Sequence, residues 1–161
     1  MIGFRRAGVL DTRPMAALLN EIIAIGGTTA FTASVTADQI RGWMAQAPAR
    51  SVWHLAEDAK GDILGFQSIE PHPTLPPEVC DIASFVRVGQ TGLGIGSGLF
   101  ERSRTVAAQM GYVWINATIR ADNFGGLAYY QSRGFEDYAR HSNVRLGNGQ
   151  IVDKISKRYD L

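Results

Sequence analysis

The sequence predicts an α/β fold, a mixed sheet of about seven strands carrying about four helices. Two observations lead there. Strand-like and helix-like runs alternate along the chain in the order β-α-α-β-β-β-α-β-α-β-β, which a mixed sheet covered by helices satisfies. A glycine-dense stretch, Thr91 to Gly98, also stands between a strand-like run and a helix-like run, a junction suited to holding an anion. The length of 161 residues, with 45% hydrophobic and 19% charged, suits one domain spanning 1–161 with a real core.

Each element has its own signal. Residues 2 to 7 read as a short strand. Asp11-Thr-Arg-Pro14 opens a helix, with Asp11 as cap and Pro14 at an early position. Met15, Leu18, Leu19, Ile22 and Ile23 keep helical spacing until Gly26-Gly27. Thr36 followed three residues later by Gln39 is a capping box, and Ile40, Trp43 and Met44 give that second helix its apolar stripe. Ser51 to Glu57 and Ile63 to Glu70 read as a hairpin. The loop Pro71 to Pro77 holds four of the six prolines. A strand over Cys80 to Val88, a helix over Leu99 to Gln109, a strand over Tyr112 to Ile119 and a helix from Phe124 to Ser132 follow. Phe135 to Ala139 and Ile151 to Tyr159 complete the sheet around a Gly147-Asn-Gly149 turn.

The glycine stretch, Thr91-Gly92-Leu93-Gly94-Ile95-Gly96-Ser97, carries the chemistry. Without Cβ atoms its backbone N–H groups can crowd round an anion, and the next helix adds unpaired amides and the positive end of its dipole. Spacing narrows the kind of site. A Walker loop needs a lysine, and none occurs between Lys60 and Lys154. The dinucleotide fingerprint fails too, because Ser97 or Leu99 falls in its third glycine place.

At this point the chain resembles the GNAT superfamily of acyl-CoA-dependent N-acetyltransferases. Their pyrophosphate loop has the form Q/R-x-x-G-x-G/A, and here Gly94 and Gly96 fit while Thr91 stands in the Gln or Arg place. A second segment, Asn123 through Tyr130 to Gly134-Phe135, looks like the family's other signature. The two cover about residues 80 to 139. The resemblance implies a GNAT-like, mostly antiparallel mixed sheet, acetyl-CoA as cosubstrate, and direct attack by an amine. It places the pantetheine arm between the strand at Ser84 to Val88 and that at Trp114 to Thr118, with Val86 and Val88 on its track. A backbone N–H near Val86 would stabilise the oxyanion. The backbone from Thr91 through Gly92, Leu93, Gly94, Ile95 and Gly96 to Ser97 would hold the pyrophosphate. Tyr130, whose hydroxyl keeps its proton at neutral pH (reference pKa about 10), would protonate the leaving thiolate. Tyr129 would pack. Asn123 is open to a pantetheine contact, a helix cap or both. Asn116 is open to the cofactor or to local partners.

Asp81 sits where phosphinothricin-type members carry a glutamate and is the candidate base, working through a water. Thr28, Thr29, Phe31, Glu70 and His72 lie on segments that border the acceptor cleft in that branch. A carboxylate such as Glu70 favours a cationic amine, whereas a methionine-sulfoximine-like acceptor wants positive groups, for which Arg87 is the candidate. The acceptor is thus read as a small amine, amino acid or amino-acid-like molecule. A non-catalytic acyl-CoA sensor of the same fold is the alternative.

Composition bounds partners and compartment. A net charge of +1 gives no reason to expect nucleic acid. Cys80 is the one cysteine, so no internal disulfide is expected, and His54 and His141 lack metal-ligand spacing. No run approaches eighteen apolar residues and the start lacks a signal core. No membrane partner is expected, the cytoplasm is the expected compartment, and a homodimer is compatible with the family.

Overall fold

The structure, a computed structural model, describes residues 1–90 and 93–161. Among these residues seven strands form one sheet: β1 (Gly3–Arg6), β2 (Val52–Glu57), β3 (Ile63–Pro71), β4 (Val79–Val86), β5 (Trp114–Arg120), β6 (Glu136–Arg145) and β7 (Ile151–Asp160). Four α-helices accompany them: α1 (Thr12–Ile25), α2 (Ala37–Ala45), α3 (Ile95–Gln109) and α4 (Phe124–Ser132). The strand order is β1-β2-β3-β4-β5-β7-β6. Among the described residues only the β4–β5 pairing is parallel. The expected mixed, mostly antiparallel sheet is present.

Alternation along the strands builds a core on each face. Trp53, Leu55 and Phe66 point to one face and pack with Met15, Leu18, Leu19, Ile22 and Ile40 of α1 and α2. Val52, Ile69, Ile82 and Ile115 point to the other, against Phe100, Ala107, Tyr130 and Phe135. β5 obeys the same alternation: Ile115, Ala117 and Ile119 enter the α3–α4 core, so Asn116 and Thr118 face the opposite side.

Local signals mostly acted as the sequence implies. Thr36 and Gln39 form both halves of the capping box, at 3.1 and 2.8 Å. Asp11 does not cap α1 through its side chain. Its carboxylate instead accepts two N–H bonds from Arg5, at 2.9 and 2.8 Å, and one from the backbone of Gly8 at 2.8 Å. A nearby guanidinium competes better for a carboxylate than a helix N–H does. Several boundaries differ from expectation, among them β4, which stops at Val86, β5, which begins at Trp114, β6, which runs on to Arg145, and α3, which begins at Ile95, four residues before Leu99. Gly94 starts α3 in the left-handed region, at φ 78°, a conformation that glycine adopts without steric cost.

Candidate active site

The sheet opens between β4 and β5. Their parallel register runs Val79↔Trp114, Cys80↔Ile115 and Asp81↔Asn116, and goes no further. On its other side β4 stays paired with β3 as far as Gly65↔Val86, and Arg87 N donates to Leu64 O at 2.8 Å. In an antiparallel ladder every second residue turns its N–H and C=O away from its partner. Counting back from Arg87, those residues are Val86 and Ser84. Their backbone groups therefore point into the gap, where no strand pairs with them. Val88 lies beyond the end of β4 and is exposed.

Tyr130 reaches this gap from α4. Its ring is buried between Tyr129 and Phe135 (centroids 4.9 and 5.1 Å), and its hydroxyl lies 2.8 Å from Ser84 Oγ. Gln67, fully buried on β3, donates from Nε2 to Ser84 Oγ at 2.7 Å and to Tyr129 Oη at 3.1 Å. The Tyr129 hydroxyl then donates to Gly96 O at 2.8 Å. Tyr129 is thus more than packing, because it ties the first turn of α3 to β3. Burial, and next the neighbouring Tyr129, push the Tyr130 hydroxyl far above its ordinary pKa, against the Ser84 hydrogen bond.

The first turn of α3 lies next to this network. Gly98 N donates to Gly94 O, so the N–H groups of Gly94, Ile95, Gly96 and Ser97 have no acceptor within the helix. The amides read as loop amides are largely the helix's own unpaired first turn. No acidic residue occupies that turn, and Arg133 donates to Ser97 Oγ at 2.8 Å, adding positive charge to the dipole end. Leu93 is exposed. Thr91 and Gly92 lie outside the described residues.

Two carboxylates stand where the strands part. Glu70 and Asp81 are direct partners across β3 and β4, on the face opposite Ser84. Burial, with the Asp81 charge second, raises Glu70 to about 7. Asp81 is also raised by burial, opposed by a hydrogen bond from Asn116 and by the nearby His72. His72 Nδ1 accepts the N–H groups of Thr74 and Leu75, both at 3.1 Å, which fixes the ring in the proline-rich loop. Asn116, 1% exposed, is fully engaged. It donates to Asp81 Oδ1 at 2.9 Å and to Thr118 Oγ1 at 3.1 Å, and accepts from Tyr138.

The α1–α2 connection is tied to the end of β5 and the start of α4. Asn123 caps α4, accepting Gly126 N–H at 3.0 Å, and donates to Thr28 O at 3.1 Å. Both ends of its amide are therefore taken by the protein. Buried Arg120 donates to Thr29 O at 3.1 Å. Phe31 stacks on Trp43 at 5.4 Å and lies 6.3 Å from Phe85, forming an aromatic wall. Ser84, Gln67, Arg133 and Tyr138 were missed in the sequence. A polar residue at alternate positions of an apolar strand is the signal that points to Gln67 and Ser84, whereas Arg133 and Tyr138 gain meaning only from their distant partners.

Comparisons with known proteins show the family and the fold. The model for the acetyltransferase (GNAT) family matches residues 18–135. A candidate phosphinothricin acetyltransferase of Bacillus subtilis, YwnH, is 24% identical over 153 residues, covering 94% of this chain and 90% of its own. The crystal structure of an N-acetyltransferase from Staphylococcus aureus superposes with a TM-score of 0.89 at 21% identity, covering 99% of this chain and 98% of that one. A phosphinothricin acetyltransferase from Sinorhizobium meliloti, crystallised with acetyl-CoA, gives 0.88 at 16% identity, covering 99% and 88%.

Proposed function

The chain belongs to the acetyltransferase (GNAT) family, and on that premise we propose that it moves an acetyl group from acetyl-CoA to the amine of a small molecule, an amino acid or amino-acid-like compound. The observation that carries the reading is the gap between β4 and β5, which has backbone groups of Ser84 and Val86 on one wall and Tyr130 at its base. The acetyl-CoA held by the Sinorhizobium meliloti structure supports the donor. The similarity to phosphinothricin acetyltransferases supports the acceptor class.

Each residue then has a task. The amides of Gly94 to Ser97, with Leu93, Thr91 and Gly92 before them, grip the pyrophosphate. Val86 and Ser84 pair with the pantetheine amides as a strand would. Asp81, through a water, takes the proton that the amine loses as its nitrogen bonds to the thioester carbon. The N–H of Val86 holds the oxyanion. As the carbon–sulfur bond breaks, Tyr130 gives its proton to the departing thiolate and recovers one from solvent. Glu70 and His72, with Thr28, Thr29 and Phe31 on the other side, border the acceptor. The carboxylate pair favours an acceptor that arrives as an ammonium ion, which sheds one proton to solvent before its neutral nitrogen attacks.

The test begins with calorimetric titration of the protein with acetyl-CoA, CoA and NADH. Binding of the first two alone is expected, followed by thiol release in a screen of amino acids and amines. Acetyl-CoA binding without thiol release for any amine would favour a sensor of the same fold. No binding would remove the reading.

A further inference from the structure

We propose that Asn116 is a positioning residue for Asp81, and that the hydroxyl of Tyr138 sets the orientation in which it works. The proposal rests on Asp81 acting as the base. A buried primary amide has two faces, and which one meets a carboxylate decides the outcome. With Nδ2 toward Asp81 the ionised form is stabilised. With Oδ1 there, only the protonated form makes a hydrogen bond. Here both Nδ2 hydrogens are used, on Asp81 Oδ1 at 2.9 Å and Thr118 Oγ1 at 3.1 Å, while Oδ1 accepts from Tyr138. A flip would lose the Tyr138 bond as it stands and set two oxygens together.

The surroundings bias the amide the same way. Having accepted from Asn116, Thr118 is free to donate to Ser156 Oγ at 2.9 Å, and Ser156 to Nε2 of His141 at 2.8 Å. The row crosses β5, β7 and β6, and every member is satisfied when each hydroxyl donates away from Asp81. Tyr138 is itself held edge-on against Trp114, with centroids 5.5 Å apart, and Arg158 covers the Trp114 ring at 4.3 Å. Asp81 faces Glu70 from β3, His72 from the loop beyond it and Asn116 from β5. Of these, Asn116 is the one group that hydrogen-bonds it directly through a side chain.

The experiment is a carboxyl titration, read by NMR on protein labelled with ¹³C in its aspartate side chains. The Asp81 resonance is identified by its loss in Asp81→Asn. Asn116→Ala should raise the Asp81 midpoint by about one pH unit or more, the loss of one charge-assisted hydrogen bond. Tyr138→Phe keeps the ring against Trp114, and should shift the midpoint the same way by a smaller amount with little change in melting temperature. If Asn116→Ala does not fold, Tyr138→Phe decides. An Asp81 midpoint that does not rise in the folded variants overturns the positioning role. Amine-dependent thiol release from acetyl-CoA by Asp81→Asn is measured separately. Persistent release there would overturn Asp81 as base, so the two failures register in different experiments.

Discussion

Tyr130 keeps its proton because its ring is buried among Tyr129 and Phe135, where its hydroxyl hydrogen-bonds Ser84. Such a phenol stays protonated across the neutral range, so a proton is at hand as negative charge builds on the departing sulfur. Tyr130→Phe should lower turnover by roughly 10²–10⁴ with acetyl-CoA affinity retained. Steady-state thiol release beside a binding isotherm checks this, and turnover close to wild type would move the acid elsewhere. Glu70 makes a different prediction. Its midpoint is raised to about 7, first by burial and then by Asp81, so between the ordinary carboxyl range and pH 7 the folded chain holds a proton that the unfolded chain has released. Stability from this group is complete below about pH 4.5 and lost as pH rises through 7. Glu70→Gln should therefore flatten the decline and melt a few degrees higher at pH 8, worth roughly 1–2 kcal/mol after solvent screening. A variant that melts lower than wild type at pH 8 would mean that the ionised carboxylate is stabilised in place.

Helix α3 begins where four alternate positions, Gly92 to Gly98, are glycine, and glycine is a poor helix former. Distant rings explain the helix there. A Cβ on Gly96 would lie 2.6 Å from Tyr129 Cε1, and one on Gly98 would lie 2.1 Å from Phe4 Cζ. The helix is set by packing that local pattern does not report, which is why its start was misplaced in the sequence. The same holds for Asp11, whose pull toward Arg5 overrides its capping tendency. Elements governed by neighbours in the chain were legible: the capping box at Thr36, the glycine stop of α1, the alternating hairpin. Tyr130 was legible through its spacing to Gly134-Phe135, but Gln67 and Tyr138 act through partners 17 to 62 residues away. The glycines differ in what they protect. Gly96→Ala drives the Tyr129 ring aside, should cost about 1–3 kcal/mol, and should weaken both acetyl-CoA binding and turnover by disturbing the Gln67–Ser84 network. Gly94→Ala meets nothing within 4 Å but must hold φ 78°, so it should cost about 1–2 kcal/mol through backbone strain alone. Paired thermal melts and acetyl-CoA titrations separate them; equal effects of both on turnover would break the link to Tyr129.

The fold as a whole is a sheet that stays joined at one end of β4 and β5 and parts at the other. β2 to β4 are anchored by α1 and α2 on one face, with β1 paired to β2, while β5, β7 and β6 form a second antiparallel group. Only three residue pairs of parallel register join the two groups across the sheet, although α3 and α4 pack beneath both. On the proposed function, an extended ligand arm inserted in the gap would supply the hydrogen bonds that a missing strand would have made. Binding should then stabilise by mass action, about 2.7 kcal/mol at a hundredfold excess over Kd, which raises the melting temperature by roughly 5–10 °C in a chain of this size. Hydrogen exchange localises the effect. The amides of Ser84 and Val86 should gain protection with acetyl-CoA, together with those of Gly94 to Ser97. The amides of β1 and β2, already paired, should change little. Protection confined to β6 and β7, or an equal shift with NADH, would show that the gap is not where the cosubstrate lies.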